Sequence, residues 1–92
     1  MDGYLITIRS KNLSGPRIQT ARAIQTPKMT QDDLIARLHV HYNIVLSKST
    51  LSRLENRERY VTDLELVAIS KILKVPIDWL VGETPDLNIH KG

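Results

Sequence analysis

The chain has 92 residues, no cysteine, 13 Lys/Arg against 10 Asp/Glu, a net charge of +3 and a pI near 9.5. That length makes one domain that buries about 60 to 70% of its unfolded surface, enough for a modest core without staples, and the lack of cysteine excludes disulfides, thiolate metal sites and a cysteine nucleophile while suiting a reducing cytosol. Apolar runs such as YLI at 4–6 and NIVL at 43–46 fall far short of the roughly 20 residues of a membrane span, and MDGYLITIRSKN lacks the basic-then-apolar order of a secretory leader, so the cytoplasm is the expected location.

Residues 1–15 read as an N-terminal arm. Tyr4, Ile6 and Ile8 alternate with Leu5 and Thr7 as a short strand would, and Arg9 and Lys11 precede the Ser14-Gly15-Pro16 punctuation. Pro16 suits the first turn of a helix, which Ile18, Ala21 and Gln25 continue at helical spacing up to Thr26-Pro27. A second helix starts at the N-cap Thr30, with Asp33 favouring the exposed amides of its first turn. Leu34, Ile35 and Leu38 make its buried stripe, and it runs to about His41 before Asn43 ends it in a left-handed turn.

Ser47 caps the third helix. Thr62 and Glu65 form the capping box of the fourth, whose inner face is Leu66, Ile69, Ser70 and Leu73. Pro76 starts a short fifth helix through Ile77, Trp79 and Leu80, stopped by Gly82. Trp79, Leu80 and Ile77 serve either the intramolecular core or half of a dimer contact. Residues 83–92 hold too few core residues to fold alone and read as a flexible tail. The expectation is an all-α chain: a compact five-helix bundle over 16–82 between an arm and a tail.

The third helix, in SKSTLSRLENRERY at 47–60, is unusual. At about 100° per residue, Lys48, Ser49, Ser52, Arg53 and Asn56 share one arc of about 140° with no carboxylate of the helix inside it. Leu51 and Leu54 lie opposite with Thr50, and Glu55 falls at the margin. Such a face is either solvated surface or is offered to a partner. Charge favours a polyanion: residues 1–60 carry ten Lys/Arg against five Asp/Glu, and residues 61–92 three against five. Lys48 and Arg53 can donate to guanine O6 and N7 or to phosphates, and Ser49 and Ser52 are short enough to let a helix sink between groove walls.

Other constellations carry less. His39 and His41 are two apart and so miss the i, i+4 spacing of a helical metal pair. Asp32-Asp33 resembles an acid–base pair but is explained by first-turn acids opposing a helix end. No nucleophile, base and oxyanion set converges, so an enzyme is not expected, and no cofactor or metal is implied.

Two capped helices in succession, the second with a polar, cation-bearing face, make the pattern of a helix-turn-helix. TQDDLIARL, then SKSTLSRLENRERY, then LVAISKILKVPIDWLVG, over roughly residues 16–82, resembles the helix-turn-helix regulators of the phage repressor and Cro type. The resemblance implies a lambda-repressor-like bundle in which Lys48, Ser49 and Arg53, beside Ser52, read bases. It implies that Gln31, Ser47 and Asn56 bond phosphates, with Arg57 and Arg59 adding charge contacts just beyond. It also implies an ion pair between Arg22 and Glu55 that braces the third helix, with small net stabilisation. HVHYNIV at 39–45 stands where the family has a single turn residue, so the expected geometry has an extended second helix and Asn43 in place of glycine. Ile35 occupies a position where relatives commonly have a small residue.

The resulting expectation is a sequence-specific, double-stranded-DNA-binding regulator, a repressor acting as a homodimer on a palindromic operator. If these 92 residues are the whole protein, they leave no room for a separate sensing domain, and control would come from concentration, a protein antagonist or proteolysis. The arm could follow the DNA backbone, enter a minor groove through Arg9 and Lys11, stay disordered, or pair Tyr4–Ile8 with a symmetry mate. The rival expectation is an antitoxin-like or adaptor module using the same fold to bind protein.

Overall fold

The computed structural model describes residues 11–82 as five helices with no strand among them: α1 Gly15–Ala23, α2 Gln31–Tyr42, α3 Lys48–Glu55, α4 Asp63–Leu73 and α5 Ile77–Leu80. The Tyr4–Ile8 strand, Arg9 and the 83–92 tail lie outside the described residues.

Local chemistry sets most of the boundaries. Thr30 and Asp33 form a reciprocal capping box, with Asp33 N–H donating to Thr30 Oγ1 at 3.1 Å and Thr30 N–H to Asp33 Oδ2 at 3.0 Å. Thr62 and Glu65 repeat it at 3.1 and 3.0 Å. Ser47 Oγ accepts from Thr50 N–H at 3.0 Å. Each arrangement satisfies amide donors that a helix start otherwise leaves without partners. At the other ends, Asn43 and Lys74 enter the left-handed region, at φ 56° and 59°. Asn43 N–H then donates to His39 O and Val75 N–H to Ser70 O, both at 3.1 Å. Ser70, a hydroxyl on the inner face of α4, is satisfied by donating to Val75 O at 2.7 Å.

The core is one cluster. Ile18 and Ala21 of α1, Leu34 and Leu38 of α2, Leu51 and Leu54 of α3, Ile69 and Leu73 of α4 and Leu80 of α5 are essentially inaccessible to solvent. Each large one contributes about 1.5 to 3 kcal/mol by leaving water. Trp79 is also buried while Ile77 is 38% exposed, so of the three residues assigned above to core or dimer, Trp79 and Leu80 lie in the intramolecular core. Arg17 holds α5 against α1, donating to Trp79 O at 2.8 Å with its guanidinium 5.0 Å from the indole centroid.

The expected extension of the α2–α3 connection is present and is anchored at both ends. After Asn43, Ile44 N–H donates to Leu38 O, Ile44 packs on the core, Val45 points out and Leu46 is buried. This in-out-in sequence lets five residues link α2 to α3 while both helices pack on the core and on each other.

Residues 11–15 are docked rather than free, because Asn12 Nδ2 donates to Leu54 O at 2.9 Å and Arg59 O at 2.8 Å, and its Oδ1 accepts from Gly15 N–H at 2.8 Å. Lys11 N–H also donates to Arg57 O. Gly15 is buried against the last carbonyls of α3, where a side chain would meet backbone. This close approach is why α1 begins with glycine before Pro16.

Candidate nucleic-acid interface

α3 is amphipathic in a way that separates its two tasks. Leu51 and Leu54 are fully buried, whereas Lys48, Ser49, Arg53 and Asn56 are exposed and Ser52 is half-buried. The five polar residues therefore do share one accessible flank, with no carboxylate of α3 on it. Glu55, read from helical angle as marginal, is 4% exposed and lies inward.

The inward carboxylate is met from behind. Arg22 Nε donates to Glu55 Oε2 at 2.7 Å and Arg22 Nη2 to Oε1 at 2.8 Å, a bidentate pair with side chains 10% and 4% exposed. Arg22 Nη1 donates to Met29 O at 3.0 Å, so the same guanidinium also fixes the approach to α2. Gln31, the first residue of α2, donates to Glu55 Oε1 at 3.1 Å and to Ser52 Oγ at 3.3 Å. One carboxylate thus joins α1, α2 and α3. Its hydrogen bonds offset much of the cost of taking two charges out of water, and the outer face of α3 is held at a fixed angle to α2.

Two features of the flank could not be read from helical angle. Asp32, in the first turn of α2, places Oδ2 3.8 Å from Lys48 Nζ, although both side chains remain largely exposed, at 74% and 65%. A carboxylate therefore borders the cationic face, supplied by the neighbouring helix. Arg59, expected on phosphates, is otherwise occupied: its Nη1 and Nη2 donate to Glu65 Oε1 and Oε2 at 2.9 and 2.8 Å, and Nη1 also to Tyr60 O. It braces the α3–α4 connection against the start of α4. The hydrogen bonding that Arg59 donates to Glu65 is the main reason the Glu65 carboxyl sits below its ordinary value, and the same interaction raises Arg59.

The remaining expected contacts flank α3 at its two ends. Ser47 is exposed, its hydroxyl accepting from Thr50 N–H and donating to Thr50 Oγ1 at 2.8 Å. Asn56 is exposed at the helix end, and Arg57 turns the chain at φ 66° with its side chain half-buried. His39 and His41 are both exposed, and among the described residues no group of three or more His, Asp or Glu is disposed to hold a metal ion. No helix among them is long and apolar enough to cross a membrane.

Asn12 was missed by sequence reading, although an asparagine three residues ahead of a buried helix start is a recognisable cap-like mark. The Asp32 contact had no local mark, because its partner is on another helix.

Compared with known proteins, the chain is matched over residues 18–80 by a family model described as helix-turn-helix. No curated protein and no solved structure matches it.

Proposed function

We propose, since the chain belongs to the helix-turn-helix family of the lambda repressor and Cro type, that this DNA-binding regulator is a repressor that reads double-stranded DNA with α3. The observation that carries this reading is the exposed flank of Lys48, Ser49, Ser52 and Arg53, backed by the buried Arg22–Glu55 pair. Inserted in a major groove, Lys48 and Arg53 donate to guanine edges, and the serines admit the helix without steric conflict. Ser47, Asn56, Arg57 and the amide end of α2 at Gln31 lie on the phosphates and set the register. Arg59 is left out of this set because Glu65 holds its guanidinium.

Repression is steric and the active species is a homodimer, with two copies of α3 about 34 Å apart in successive major grooves of a near-palindromic operator. Two measurements test this. A duplex-binding titration across a salt series should show affinity falling steeply with salt, as counterion release requires. Selection from a random DNA library should return paired half-sites about one helical turn apart. Failure to bind any duplex at low salt would overturn DNA recognition, and selection of single, unpaired half-sites would overturn the dimer.

A further inference from the structure

A second cationic surface lies on the flank of α2 turned away from α3. Two adjoining concavities, of about 400 and 460 Å³, share Arg37, Ile72 and Lys74. Lys28, from the α1–α2 connection, lines the first, and Lys71 and Tyr42 line the second. Arg37 stands five residues after Asp32, about 140° further around α2. The groove and the Lys48 flank are therefore on different sides of that helix.

The groove is cationic, and Ile72 is the apolar side chain common to both concavities. Lys28, Arg37, Lys71 and Lys74 are all exposed, and among the described residues none of them lies within ion-pair distance of a carboxylate. The rim carboxylate, Asp33, is taken up by the Thr30 N–H, with Arg37 near enough to help lower its carboxyl. Ile72 packs partly on the core and Met29 is buried. Four cations around the half-buried Ile72 complement a chain that sets an apolar side chain among carboxylates.

We propose that the groove between α2 and the end of α4 docks an acidic, partly apolar segment of a partner protein, independently of the DNA-reading face. The probe is a fluorescently labelled peptide of repeated Glu-Asp-Leu triplets, about a dozen residues long, with a Ser-for-acid version as control. Anisotropy should report saturable binding of the acidic peptide alone. Lys71→Glu/Lys74→Glu should weaken it at least about tenfold and Arg37→Gln about threefold. Both variants should keep the wild-type melting temperature within a few degrees and should bind duplex as the parent does. Lys48→Ala/Arg53→Ala should do the reverse. The proposal is overturned if the peptide does not bind, if its binding is lost with Lys48 and Arg53 instead, or if the groove variants lose DNA affinity as strongly as peptide affinity. The last result would make the groove a second DNA surface. Because peptide and duplex are titrated separately, failure of this proposal leaves the DNA reading standing, and the converse holds.

Discussion

Arg22 and Glu55, one residue from the end of α1 and the last residue of α3, face each other across 33 positions of sequence and share two hydrogen bonds of 2.7 and 2.8 Å inside the protein. Removing either partner strands a buried charge. Arg22→Ala or Glu55→Ala should each cost about 3 to 5 kcal/mol in urea unfolding, while the joint Arg22→Met/Glu55→Leu exchange should recover most of that loss. If the double variant is less stable than both single ones, the pair is contributing more than the compensation of its own burial.

Acid should loosen the α3–α4 connection. The Glu65 carboxyl is held below its ordinary 4.5 chiefly by the hydrogen bond from Arg59, helped by the Thr62 N–H and opposed by burial. The unfolded chain lacks these partners and takes up a proton first, so the contribution of Glu65 is complete above about pH 4.5 and is lost as pH falls through the lower folded value. Asp33 moves in the same direction, through the Thr30 N–H first. Thermal melts from neutrality into acid should therefore show a shallower acid limb for Glu65→Gln than for the parent. Parallel limbs would remove Glu65 from the account.

Gly15→Ala should destabilise by about 1 to 3 kcal/mol. An added Cβ would stand 2.7 Å from Glu55 O and press on Leu54 O. Both are backbone atoms, so relief requires α1 to back away from the end of α3. A shift in the urea midpoint without a change in slope is the expected signature. An unchanged midpoint would show that α1 adjusts freely.

On the DNA face, Arg53→Ala should relax sequence preference by roughly 1 to 3 kcal/mol, and an unaltered selection profile would refute its base-reading role. Asp32→Asn tests the bordering carboxylate. Removing a negative charge beside Lys48 should strengthen binding to random duplex by about two- to fivefold and flatten discrimination between operator and random sequence. A tighter operator with unchanged discrimination would limit Asp32 to general repulsion.

The helix starts were legible because their marks are local: Thr30 with Asp33, Ser47 with Thr50 and Thr62 with Glu65 lie three residues apart. The same holds for Asn43, a residue type that tolerates the left-handed region better than most. The exposed flank of α3 followed from helical angle, but angle alone put Glu55 at the margin, since it contains no information about Arg22. That pair was accessible only through family resemblance. Arg59 and Asn12 show the complementary limit. A free arginine and a braced one look alike in sequence, and Asn12 meets Leu54 across 42 positions. Such long-range partners depend on how helices cross, which no periodicity encodes.

The Asn12 clasp also fixes where the chain enters the domain. Its amide grips carbonyls at Leu54 and Arg59, so residue 11 arrives alongside the trailing end of α3. A purification handle or fluorophore attached at residue 11 would sit beside the end of α3 and so could perturb measurements made on that helix. The opposite end of the described chain follows α5, which packs on α1 and α4, and is the better point of attachment for surface immobilisation.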